Sequence, residues 1–214
     1  LKERLRELEN ILEKKSDELA EIRKEYSKQL EQKIIQGLKD LNFLDVNFAI
    51  DFRKKKNYTD NGTDDIQYLI STNPGETLKP LGQIVSGGEL SRIMLALKAI
   101  LADRDEIETL IFDEIDTGIS GRTAQKVSEK MAVIGRNHQV ICITHLAQIA
   151  AMADSHYFIR KQTDQKNTQT MIRKLNESES LKEISRMISG DQWSETSMEH
   201  AKEMKSLADE TKLY

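Results

Sequence analysis

Three short stretches carry residue types that could handle a phosphorylated ligand. Ser86-Gly87-Gly88-Glu89 opens a segment in which Leu90, Ile93, Met94, Leu97, Ile100 and Leu101 recur at helical spacing. A helix start presents unpaired N–H groups and positive partial charge, and two glycines let an anion approach the backbone. Ser86 and Glu89 also have the spacing of a capping box, so the turn taken alone suits a helix start as well as a ligand. Further on, Leu110-Ile111-Phe112-Asp113-Glu114 is an apolar strand that ends in two acids. At the carboxyl end of a parallel strand, Asp113 can hold Mg²⁺ through its water shell and Glu114 can take a proton from an attacking water. The same pair could also cap a following helix. Val140 to Ile143 is followed by Thr144 and His145, which sets an imidazole at the same sheet edge, either as a catalytic group or as a hydrogen-bonded structural residue.

The elements that must position these residues are legible from periodicity. Leu1, Leu5, Leu8, Leu12, Lys15, Leu19, Ile22 and Tyr26 recur at spacings of four and three with charges between them, which is a heptad seam. Beyond Tyr26 the stripe shifts to Leu30, Ile34, Leu38 and Leu41, a change that locally unwinds a coiled coil. A long amphipathic helix packed on its own domain is the alternative. Val46, Phe48, Ile50 and Phe52 alternate with polar residues as a half-buried strand, and Ile66 to Ser71 forms another beyond the turn Asp60-Asn61-Gly62. The stretch from Asn73 to Val85 reads as loop. A helix from Gly88 to Ala102, a buried strand from Thr109 to Phe112, a helix from Arg122 to Arg136 and a buried strand from Gln139 to Thr144 follow. Strands separated by helical crossovers imply parallel pairing and an α/β core. Tyr157 to Lys161 and Thr170 to Lys174 read as a hairpin closed by Asp164-Gln165-Lys166-Asn167, followed by two helices, the first stopped by Gly190.

Composition restricts the function classes. Charged residues make up 32% of the 214 and aromatics 5%, which calls for a large share of exposed, salt-bridged helix. A net charge of −4 excludes a surface that is nucleic-acid footprint throughout, although a local basic patch remains compatible with it. Arg53-Lys54-Lys55-Lys56 is the one run of four cations, readable as a phosphate-backbone contact or as a solvated strand end. Cys142 is the single cysteine, so no disulfide framework is expected and a buried thiol in a reducing cytosol is. No apolar run is long enough for a membrane span. Opening inside a helical repeat, without methionine, the sequence is expected to be a piece of a longer protein.

Glycine turn, strand-Asp-Glu and strand-Thr-His, in this order, resemble the second half of an ABC-type ATPase head, with its signature, Walker B acid, D-loop and switch histidine. The heptads ahead of them resemble the SMC-like branch of that family. Ser71-Thr72-Asn73-Pro74-Gly75-Glu76, Pro80-Leu81-Gly82, Asp113 through Gly121, Thr144-His145-Leu146, Gln148 to Ala151 and Asp154 to Tyr157 extend the likeness from about Leu44 to Met204, toward members that act in bacterial double-strand-break repair. The resemblance implies an α/β fold, the C-terminal lobe of an ABC/SMC-type head, with a coiled-coil segment over 1–42 and the half-head over 43–214. It implies ATP and Mg²⁺ held between two heads of a homodimer. Ser86, Gly87, Gly88 and Glu89 would contact the partner head's nucleotide, Asp113 would assist the metal, Glu114 would serve as general base, and His145 would reach the γ-phosphate. Gly118, Ser120 and Gly121 would form the D-loop, with Ser120 where most members carry aspartate. DNA is the implied macromolecular partner, with no membrane, in the bacterial cytoplasm.

None of the ten glycines falls in the Gly-x-x-x-x-Gly-Lys-Ser/Thr pattern that cradles phosphates. The resemblance assigns that loop to an N-terminal half of the same head, so the chain alone is expected to turn over no ATP. A different class of function, a structural DNA tether locked by nucleotide, is distinguished by turnover of the complete protein. A transporter ATPase is disfavoured by the coiled arm ahead of the signature.

Overall fold

Leu, Glu, Lys and Arg dominate the first forty residues, all good helix formers, and they build one long helix, α1 (Lys2–Asp40). Exposed pairs one turn apart line it: Arg4 with Glu7, Lys15 with Glu18, and Lys24 with Glu21. Its end is a Schellman motif. Asn42 adopts φ +69°, its N–H donates to Lys39 O, and Phe43 N–H reaches back to Leu38 O at 3.1 Å.

The computed structural model describes residues 1–84, 86–101, 107–163, 168–190, 192 and 194–212, which fall into two compact units, Leu1–Ser86 and Gly87–Tyr214. The expected division at 42/43 falls just after the end of α1, inside the first unit. The second half of α1 packs on the hairpin that follows it.

In the first unit, β1 (Asn47–Thr59) and β2 (Gly62–Ser71) pair antiparallel, with Phe48 opposite Ile70. Ile34, Leu38, Leu41, Phe43, Val46, Phe48 and Ile70 are buried and make the core. The hairpin tip is tied to the helix by Arg23, whose Nη1 donates to Asn61 O at 2.8 Å and to Asp64 Oδ2 at 2.7 Å. Ile50 N–H donates to Glu31 Oε1, so a helix carboxylate occupies one position on the strand. Farther toward the N-terminus, Leu5, Leu8, Leu12, Ile22 and Tyr26 are exposed. Both readings of the helix are therefore realised in part: a solvent-facing heptad seam first, a domain-packed stripe second. The expected loop from Asn73 to Val85 contains a two-residue strand, β3 (Lys79–Pro80), paired with β2, and a 3₁₀ turn (Leu81–Gln83). Val85 itself lies outside the described residues.

In the second unit the elements run α2 (Gly87–Leu101), β4 (Thr109–Phe112), α3 (Gly121–Ile134), β5 (Gln139–Cys142), α4 (Ala147–Met152), β6 (Tyr157–Thr163), β7 (Thr168–Lys174), α5 (Glu177–Ser189) and α6 (Glu195–Lys212). β4 and β5 are parallel, with Phe112 abreast of Cys142. The strand expected to reach Thr144 ends two residues earlier, because Thr144 and His145 are drawn into side-chain bonds. The two strands are also not buried on both faces: Phe112 is covered, whereas Ile111 is 68% exposed and Ile141 and Ile143 are exposed too. Parallel strands carry apolar residues on both faces because they are built to be covered on both, and here one face is bare. Helices α3, α5 and α6 gather around α4, where Ala147, Ala150, Ala151, Ile184 and Ala201 form a core of small side chains. β6 and β7 pair antiparallel as expected, and the residues expected to turn between them, 164–167, lie outside the described residues, as does Ala102. A full capping box, Asn176 with Glu179, starts α5, and Gly190 at φ +70° ends it. No described helix is long and apolar enough to cross a membrane.

Candidate functional site

The rim at the carboxyl end of β4 and β5 is built around the segment Asp113 to Thr117. Backbone pairing sets its position: Ile143 N–H donates to Phe112 O at 3.0 Å, so the residues after Phe112 and Cys142 leave the sheet side by side. Glu114 immediately takes a left-handed conformation, φ +57°, which is uncommon for a residue with a Cβ and concentrates at functional turns. Thr117 N–H closes the turn on Glu114 O at 3.1 Å, and Glu114 N–H donates to Asp113 Oδ1.

Helix α2 grips this segment from one side. Ser91 Oγ donates to Asp113 O at 2.9 Å, and the buried guanidinium of Arg92 donates through Nη1 to Thr117 O at 2.9 Å and Ile115 O at 3.4 Å. Burial holds the Arg92 pKa below its ordinary value, with Glu89 partly offsetting that. The grip brings the glycine turn against the acids. A Cβ on Gly88 would stand 3.0 Å from Glu114 O and from Thr117 Cβ. One on Gly87 would meet Glu114 Oε2 at 2.7 Å. The two glycines thus admit the chain's own turn and carboxylate, a requirement separate from any ligand. Ser86 and Gly87 remain exposed, and Gly88 is buried.

On the other side stands Asp116, which sequence reasoning did not single out as a site residue. It is buried, yet its Oδ2 accepts from Thr144 Oγ1 at 2.6 Å and from His145 N–H at 2.8 Å, and His145 Nδ1 lies 3.0 Å from the same oxygen. Leu146 N–H in turn donates to Thr144 Oγ1. Asp113, Glu114 and His145, all exposed, are therefore carried by one hydrogen-bonded rim. The thiol of Cys142 on β5 is pushed up to about 12, by burial first and then by the charges of Asp116 and Asp113. Such a shift disfavours the reactive thiolate, as expected of a thiol inside an apolar run.

In the loop that follows, Gly118 has φ +75° and Gly121 φ +50°. Ser120 stands exposed at the N-cap of α3 without a side-chain cap bond. Among the described residues no cluster of three or more metal-ligating side chains occurs. One carboxylate such as Asp113 suits Mg²⁺ that takes its other ligands from phosphates and water.

The basic run lies inside β1, not at its end. Arg53 Nε is 2.8 Å from Asp51, Lys54 Nζ 3.1 Å from Asp17 and Lys55 Nζ 3.9 Å from Asp65, so three of these four exposed cations face carboxylates of their own unit. Lys56 is exposed on the same strand. Asp17 raises the Lys54 pKa.

No protein-family model matches the chain. It is 44% identical over 201 residues to the DNA repair protein RecN of Halalkalibacterium halodurans, covering 92% of this chain and 36% of that protein. Against RecN of Bacillus subtilis it is 40% identical over 209 residues, 91% of this chain and 36% of that one. Against RecN of Treponema pallidum it is 49% identical over 143 residues, 67% and 25%. The chain thus spans about a third of the length of the first two relatives. Among solved structures it is similar to the Smc head domain with a coiled coil and joint derived from Pyrococcus yayanosii, at TM-score 0.50 and 18% identity over 73% of this chain and 28% of that one. It is also similar to the Smc head domain with an extended coiled coil derived from Pyrococcus furiosus, at 0.52 and 18%, over 87% and 44%. At that identity the likeness establishes the fold: a mixed α/β lobe of SMC-head type carrying a long helix.

Proposed function

The chain belongs to the RecN family, and on that premise we propose that it is the C-terminal part of an SMC-like ATPase that binds and hydrolyses ATP between two heads during DNA double-strand-break repair. The observation that carries this reading is the rim itself: one five-residue segment presents Asp113 and Glu114, abuts the glycine turn, and anchors Thr144 and His145.

Phosphoryl transfer to water asks chiefly for positioning and charge neutralisation. A water oxygen bonds to the γ-phosphorus as the bond to the bridging oxygen of ADP breaks, and the water's proton goes to Glu114. That carboxylate is exposed on a fixed turn, so it can reach water while its backbone stays put. Asp113 would hold Mg²⁺ through its water shell, and the ion would neutralise charge on the phosphates. His145 would present a ring nitrogen to the γ-phosphate. Ser86, Gly87, Gly88 and Glu89 would serve the nucleotide held by the second head of a homodimer, with exposed Ser86 and Gly87 accessible to it. The phosphate-cradling loop would come from the N-terminal half of the same head. DNA contacts by Arg53, Lys54, Lys55 and Lys56 would set these cations on backbone phosphates, with Arg53, Lys54 and Lys55 giving up weak, solvent-screened carboxylate partners. The setting would be the bacterial cytoplasm.

The test is Glu114→Gln in the complete protein. Loss of a general base is expected to lower turnover by roughly 10²–10⁴-fold while nucleotide binding persists. Turnover retained by the variant would remove Glu114 from the chemistry.

A further inference from the structure

We propose that Asp116 is a positioning residue: its buried carboxylate fixes the tautomer and orientation of the His145 ring and ties that ring to the glycine turn. The inference rests on the ATPase reading above.

An ionised carboxylate accepts hydrogen bonds and donates none. Burying one is costly unless donors surround it. Asp116 Oδ2 receives the Thr144 hydroxyl and the His145 backbone N–H, which together lock the backbone on which the imidazole is mounted. The ring nitrogen Nδ1 sits 3.0 Å from the same oxygen. An unprotonated Nδ1 would set a lone pair against a carboxylate lone pair at that distance, so Nδ1 carries a proton. This leaves Nε2, on a side chain that is 72% exposed, as the nitrogen available to a ligand. The carboxylate thus decides which ring nitrogen faces outward and at what angle. A histidine lacking such a partner would favour the opposite tautomer.

The carboxylate also has a fixed relation to the signature turn. Arg92 holds the carbonyls on both sides of Asp116, those of Ile115 and Thr117, and Gly88 packs on the backbone of Glu114 and Thr117. A ligand pressing on the glycine turn therefore acts on the segment that bears Asp116, and through it on His145.

The experiment has two readouts. The first is ¹⁵N ring spectroscopy of this chain, whose four histidines are resolved by assigning His145 from its loss in His145→Gln. The wild-type ring is expected to carry its proton on Nδ1, and in Asp116→Ala it is expected to shift to Nε2. The second is turnover of the complete protein. Asp116→Ala is expected to lower kcat by about 10–100-fold with a smaller change in KM, as loss of a ring-orienting partner does, and Asp116→Asn, which keeps an acceptor oxygen, to recover part of it. A wild-type ring protonated on Nε2 alone overturns the proposal, whether or not Asp116→Ala folds. So does an Asp116→Ala protein with unaltered kcat. Glu114→Gln separates this failure from that of the parent reading. If Glu114→Gln abolishes turnover and Asp116→Ala leaves it intact, the ATPase stands and the positioning role falls.

Discussion

The rim and the basic strand are the two charged regions that sequence composition puts forward, and they are built on opposite principles. At the rim, buried Asp116 accepts directional bonds from a hydroxyl and a backbone N–H, buried Arg92 donates through Nη1 to two backbone carbonyls, and the exposed Asp113, Glu114 and His145 project from the scaffold those bonds build. On β1, Arg53, Lys54 and Lys55 lie in the open, balanced by carboxylates through ion pairs that solvent screens. Chemistry needs the first arrangement, because misplacing a reacting group costs rate. Electrostatic attraction to a polymer tolerates the second. A run of like charges thus fixes no side-chain geometry, whereas a buried polar residue with several partners does.

Variants can break or sharpen this contrast. The largest expected difference is in turnover: Glu114→Gln removes roughly 10²–10⁴-fold, whereas neutralising Arg53, Lys54, Lys55 and Lys56 leaves DNA-independent turnover within about twofold. Equal losses in the two variants would abolish the distinction. Next is Cys142, whose thiol, pushed up to about 12, is largely unionised at pH 8. Its alkylation in the folded chain should run roughly a thousandfold slower than that of an ordinary thiol and recover on denaturation. Rapid labelling of folded protein would mean that the strand end is not packed as described. For DNA, the four neutralised cations should flatten the slope of log affinity against log salt by about one to three, and an unchanged slope dismisses the strand as a contact. The smallest effect separates the two glycines. Gly88→Ala drives a methyl into backbone and should cost about 1–3 kcal/mol in denaturant unfolding, whereas Gly87→Ala only displaces the far end of Glu114 and should cost much less. Equal costs would contradict the described packing of the turn.

Much of this was legible in the sequence, and the reasons differ by element. α1, α2, α3 and the strands β4 and β5 follow from sustained periodicity or from short apolar runs of β-branched residues, and the register of β4 on β5 then brings the Asp-Glu pair and the Thr-His pair to one edge. β3 and α4 escaped because two and six residues carry too little periodicity, and Ala147–Met152 begins without a side-chain cap. Asp116 escaped because an acid in a turn after Asp113-Glu114 looks like one more solvated charge. Only tertiary structure buries it beneath Thr144 and His145. The fuller roles of Gly87 and Gly88 were hidden for the same reason, since what they accommodate, Glu114 and Thr117, lies well over twenty residues away in sequence. The bare face of Ile111 and Ile141 read as buried because apolar alternation shows that a face is built for covering, not what covers it.

The central proposition is that the glycine turn of one head completes the site of another. It is tested most directly by mixing two complete proteins, one carrying Ser86→Arg and the other Glu114→Gln, each inactive alone. If the turn acts across a symmetric dimer, each mixed dimer regains one intact site, and about a quarter of wild-type turnover should return at equal concentrations. Activity that stays at the level of the separate variants would show that Ser86 and Glu114 serve the same site from the same chain, and would contradict the two-head arrangement.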